Sequence, residues 1–123
     1  MPRIVRQTTV AEHMPENAMD DAGEIARFYD RSSDLMRQLL DTLAVGTDEP
    51  RPFPDVERAL AWPRRRIASV LGGVWHLRTT EFGGRRPYRF LDERESPSGR
   101  WEIWCDVNQA DAIRAAQGAG RRG

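Results

Sequence analysis

Pro50, Pro52, Pro54 and Pro63 punctuate the middle of the chain and decide where helix can form there. Proline donates no backbone N–H and its ring clashes with the preceding turn, so residues 47–54 read as an extended linker ending at Gly46 on its N-terminal side. Pro54 suits the first turn of a helix, where the missing N–H costs nothing, and Asp55 and Glu57 favour the same positive helix end. Pro63 then ends or sharply turns that helix near Trp62. A further helix starts at once, at Pro63 or Arg64. Two short helices joined by a tight turn follow, with Val56, Ala59 and Leu60 inward on one and Ile67, Val70 and Leu71 on the other. Gly72-Gly73 leaves the end of the second anywhere from Leu71 to Leu77.

On either side of this pair the pattern is simpler. Asp21 is a reasonable N-cap for an amphipathic helix of roughly 20 residues, with Ile25, Phe28, Ser32, Leu35, Met36, Leu39, Leu40 and Leu43 on one stripe. Downstream, Tyr88–Leu91 and Trp101–Cys105 are aromatic-rich strands joined by the polar loop Asp92–Gly99, a hairpin. Asp106 or Asn108 caps a last helix from Gln109 to about Gln117 that buries Ala112, Ile113 and Ala116. Residues 1–21 and 118–123 read as flexible tails, the first offering at most a short strand at Ile4, Val5 and Val10. The chain of 123 residues therefore carries one domain, residues 22–117, of α+β class, as the usual range of roughly 100–200 residues per domain allows.

Formal net charge is zero, but it is unevenly spread. Residues 1–60 hold seven arginines against twelve acids, and residues 61–123 hold twelve against seven. Every basic residue is arginine. Residues 61–91 collect Arg64, Arg65, Arg66, Arg78, Arg85, Arg86 and Arg89 against Glu81 alone, the local concentration expected of a phosphate-binding face.

The stretch Val56-Glu57-Arg58-Ala59-Leu60-Ala61-Trp62-Pro63-Arg64-Arg65-Arg66-Ile67-Ala68-Ser69-Val70-Leu71 resembles the helix-turn-helix of the winged helix-turn-helix superfamily. The likeness extends over about residues 22–117 and includes small actinobacterial proteins of this general look. It implies a three-helix bundle with a C-terminal β-hairpin wing and a final helix, and DNA binding as the default activity. Many members carry a small residue where this chain has Glu57, and glycine at the turn where it has Ala61. Ala61 is expected to need a turn that avoids the left-handed region. On this likeness the helix from Pro63 reads the major groove through Arg64, Arg65 and Ser69. Arg66, Arg78, Arg85, Arg86 and Arg89 would hold phosphates, the last three at the base of the wing, because Asp92, Glu93 and Glu95 make its tip acidic.

The first helix is longer than a small domain needs, so it and the last helix are expected to form a homodimer seam. Trp62, Trp75, Trp101 and Trp104 are expected in the core or an interface, with one of the hairpin tryptophans free for a partner. His13 and His76 read as surface or capping residues, and Cys105 as a buried, inert thiol. Neither a phosphate-cradling glycine loop nor a placed nucleophile supports an enzyme, and one cysteine with two histidines offers no zinc set. No cofactor or metal is expected. The chain lacks a secretory signal and an apolar run long enough to span a bilayer, which points to a cytoplasmic protein with double-stranded DNA as partner. The competing expectation is a winged-helix adaptor that binds protein through its acidic first half or its aromatic hairpin.

Overall fold

The structure is a computed structural model that describes residues 18–46 and 49–122. Asp21 caps the first helix, α1 (Ala22–Arg31), accepting a hydrogen bond from the Glu24 N–H at 2.8 Å. The single long helix expected from the apolar stripe is broken: α1 stops at Ser32, and α2 spans Asp34–Leu43. Two adjacent serines make the break. The Ser32 hydroxyl donates to the Phe28 carbonyl at 2.7 Å, whereas Ser33 turns its hydroxyl forward to accept from the Met36 N–H. Short hydroxyl side chains compete for backbone groups in this way and favour helix ends. Arg37 fills the gap, donating to the carbonyls of Tyr29 and Asp30.

Part of the linker becomes an edge strand, β1 (Arg51–Pro52), which passes directly into α3 (Phe53–Leu60). An edge position tolerates proline because no inter-strand donor is required on the open side. α3 ends at Ala61, which takes φ 56° and ψ 39°. The expectation that Ala61 would avoid the left-handed region is therefore overturned: the turn must reverse within Ala61-Trp62-Pro63, and Trp62 is buried there with its N–H bonded to the Glu57 carbonyl. α4 (Arg64–Gly73) and α5 (Trp75–Glu81) follow, separated at Val74. Val56 and Ile67 are fully buried, Leu60, Val70 and Leu71 pack half-buried against the core, and Ala59 is exposed rather than inward.

The turn after α5 uses Gly83 and Gly84, both at positive φ, so that the N–H groups of Phe82 and Gly84 bond the Arg78 carbonyl. It aims the chain into the hairpin of β2 (Arg89–Leu91) and β3 (Glu102–Trp104). β3 is central in an antiparallel sheet of order β1-β3-β2, with Ile103 opposite both Arg51 and Phe90. Phe53, Phe90 and Trp101 pack edge to face, with ring centroids 5.4–6.2 Å apart. The last helix, α6 (Val107–Arg122), begins with a reciprocal cap in which Gln109 N–H bonds Asp106 and Asp106 N–H bonds the Gln109 side chain.

α6 continues through the segment 118–122 that the glycines marked as a tail. The N-terminal tail is also shorter than expected. Met19 is wholly buried, and its N–H bonds the Arg86 carbonyl at 2.7 Å. Ile4, Val5, Val10 and His13 lie outside the described residues. The chain is thus α+β, with helices packed around a small three-stranded antiparallel sheet, an arrangement compatible with the expected winged helix. α1 packs on α6 within the chain, and Ile25, Phe28, Met36, Leu39, Leu40, Leu43, Ala112 and Ile113 all lie in its own core. These residues pack inside one protomer, and of the stripe of the first helix only Leu35 stays substantially exposed, at 40%.

Candidate nucleic-acid interface

α4 is set apart by the chemistry of its first turn. α1 and α2 begin with a capping side chain that takes up a backbone N–H, as does α6. α3, α4 and α5 begin without such a cap, and what distinguishes α4 is a first turn without an acid made of Arg64, Arg65 and Arg66. A helix N-terminus carries about half a positive charge, so cations there are unfavourable by roughly 0.3–1 kcal/mol each. The sequence sustains this arrangement because Pro63, as N-cap, holds the extended conformation (φ −71°, ψ 154°) that launches the helix. All three arginines and Ser69 are exposed.

Each of the three has a different setting. The Arg64 guanidinium lies 5.0 Å from the centroid of the Trp101 ring, in a cleft that Glu57, Glu93 and Arg100 also line. Arg66 faces Trp62 at 6.0 Å. Arg65 makes no hydrogen bond, ion pair or ring contact among the described residues. Ser69, one turn after Arg65, opens onto a second groove with Ser33, Leu35 and Leu77.

The remaining arginines of the expected phosphate set, Arg78, Arg85, Arg86 and Arg89, all make contacts within the chain. Arg78 is only 8% exposed, donates to the Gly84 carbonyl at 2.9 Å and lies 5.6 Å from the Trp75 ring, so it serves the turn after α5. Burial lowers its pKa. Arg85 is ion-paired with Glu24 of α1, and that hydrogen bond raises its pKa. Arg89 pairs with Asp106 at 3.0 Å. Arg86 is half-buried with its guanidinium 5.3 Å from the Phe90 ring. The base of the hairpin therefore presents few free cations.

The hairpin loop differs from its expected role too. Asp92 accepts from the N–H groups of Arg94 and Glu95, and Glu95 accepts from that of Asp92, so two of the three tip acids build the loop. Arg100 is the basic residue that the charge pattern passed over: it lines the Arg64 cleft and is exposed. Trp75, expected in the core or an interface, is 60% exposed, while Trp62 and Trp104 are buried. Cys105 is buried and its thiol is pushed up to about 12, chiefly by desolvation, which leaves it protonated and unreactive.

Compared with protein-family models, curated proteins and solved structures, the chain matches none. Among the described residues, no helix is long and apolar enough to cross a membrane.

Proposed function

We propose that the chain is a winged-helix DNA-binding protein that acts as a regulator, with α4 as its major-groove helix. Arg65 and Ser69, one turn apart, face the bases together with Arg64, and Arg66 and Arg100 hold phosphates. The observation that carries this reading is the all-arginine first turn of α4, exposed immediately after a tight turn in which Trp62 is buried. That turn lowers the stability of the isolated chain and is relieved by an external anion. The helix pair followed by a hairpin supports the same reading.

Selection of random duplex DNA by the purified protein, followed by anisotropy titration of the enriched sequence, tests it. About two phosphates neutralised per protomer, by Arg66 and Arg100, predict a log–log salt slope near −2 per protomer. Arg65→Glu is expected to abolish enrichment. Equal binding by wild type and variant, or no enrichment, overturns the reading.

A second reading, a protein adaptor, draws on the exposed Trp75 and on the internal pairing of Arg85 and Arg89. It predicts binding to a protein partner that survives Arg65→Glu and is lost in Trp75→Ala.

A further inference from the structure

Behind α4 lies a cavity of about 230 Å³, open on one side and walled by Leu71 and Gly72 of α4, Trp75 and Arg78 of α5, and the rings of Tyr88 and Phe90. Arg86 and Trp101 complete it. Its chemistry is divided into two parts. The aromatic rings and Leu71 give a flat apolar space. Arg78 and Arg86 bring two guanidiniums, and no carboxylate lines the wall.

Three polar groups there keep hydrogen-bonding capacity unused among the described residues. Arg78 is more than nine-tenths buried, yet its Nε has no hydrogen-bond acceptor. A buried unpaired donor on a charged group costs about 1–3 kcal/mol or more, so it is seldom left without a reason. The Tyr88 side chain is 2% exposed and its hydroxyl has no hydrogen-bond partner among the described residues. Arg86 makes a ring contact but no side-chain hydrogen bond. Both guanidiniums act on Tyr88 electrostatically, drawing its pKa down against the larger effect of burial, so the three groups share one neighbourhood.

We propose that this cavity is a binding site for a small aromatic monocarboxylate, its ring between Trp75, Tyr88 and Phe90 and its carboxylate on Arg78, Arg86 and the Tyr88 hydroxyl. The lining sets the class: the rings of Trp75, Tyr88 and Phe90 offer a flat apolar surface beside two guanidiniums, which suits one aromatic ring with a short acid arm. Charge sets the anion, since two arginines without a carboxylate favour a bidentate acceptor. This inference goes beyond the DNA reading and does not rest on it.

The test is titration of the full chain with benzoate and with phenylacetate, followed by the emission of the tryptophans that line the cavity and by calorimetry, with phenylacetamide as the uncharged control. Saturable, sub-millimolar binding of at least one acid is expected, with the amide at least tenfold weaker. Arg86→Gln is expected to weaken the acid at least tenfold without lowering the thermal midpoint. Arg78→Gln risks the turn at Gly84, so Arg86→Gln and the exposed Trp75→Ala carry the test. Absence of saturation with both acids, equal affinity for acid and amide, or unchanged binding in Arg86→Gln overturns the proposal. Competition by inorganic phosphate as effective as by the acids likewise overturns it, because the rings would then contribute nothing.

Discussion

The Arg64 guanidinium sits over the Trp101 indole, 5.0 Å from its centroid, and so ties the first turn of α4 to the strand side of the hairpin. A cation over an indole is worth about 0.5–1 kcal/mol at an exposed site. The contact holds the Arg64 side chain against the fold, while Arg65, its neighbour, makes no such contact among the described residues.

That difference makes Arg65 the sharper probe. Arg65→Glu puts an acid in the first turn of α4 and is expected to raise stability by about 0.3–1 kcal/mol while eliminating DNA binding. Denaturant melts and anisotropy titrations on the same preparation check both halves. A variant that loses binding and stability together would point to a structural role for Arg65 instead.

Ala61 stores strain. A non-glycine residue at φ 56° costs about 1–2 kcal/mol relative to right-handed backbone. Ala61→Gly removes that cost against the larger entropy glycine loses on folding, for a net gain of about 0.5–1 kcal/mol. The denaturation midpoint should rise with an unchanged slope. A fall would show that the Ala61 methyl makes a contact worth more than the strain.

Gln109 uses both ends of its amide. Its oxygen accepts from the Asp106 N–H, and its nitrogen donates to the buried Met19 carbonyl at 3.2 Å. Gln109→Glu keeps the acceptor and loses the donor, leaving the Met19 carbonyl unpaired beside a carboxylate, at a cost of about 1–3 kcal/mol. Hydrogen exchange at the Met19 N–H, which bonds Arg86, should accelerate in the same variant. An unaltered exchange rate would remove Gln109 as the anchor.

The pH dependence follows from Cys105. Burial holds its thiol at about 12 against an ordinary 9.0, so the unfolded chain releases this proton first. The stability it contributes is complete below pH 9 and is lost as pH rises towards about 12. Tyr88, also raised by burial, adds a loss of the same sign above pH 10.0. Urea unfolding at about pH 8 and about pH 10.5 should give a lower midpoint at the higher pH, and Cys105→Ala should flatten that decline. An equal decline in the variant would assign the effect elsewhere.

The helix pair around Ala61 was legible because its signals are local: proline fixes where each helix begins and ends whatever the remainder of the chain does. The cap of the last helix was narrowed to Asp106 or Asn108, of which the fold uses Asp106, and the burial of Cys105 was legible too. The break at Ser32 was not, since the apolar spacing from Phe28 to Leu43 runs through it unbroken and only the direction of two hydroxyls decides it. The same locality explains the arginines. Arg64 to Arg66 could be placed from their own helix, whereas Arg85 meets a partner 61 residues away and Arg78 is buried by a turn whose glycines fix it. Charge pattern counts cations and does not reveal which of them the fold has already used.

Arg85–Glu24 and Arg31–Glu81 both join the acidic first half of the sequence to its basic second half. Before folding, the same distribution makes the chain a two-block polyampholyte whose halves attract over a distance of about 10 Å at 0.1 M salt. Salt therefore swells the unfolded ensemble at the same time as it weakens the native ion pairs. The two effects oppose each other in the free energy of unfolding, so a stability nearly indifferent to salt is compatible here with strong attraction between the halves in both states.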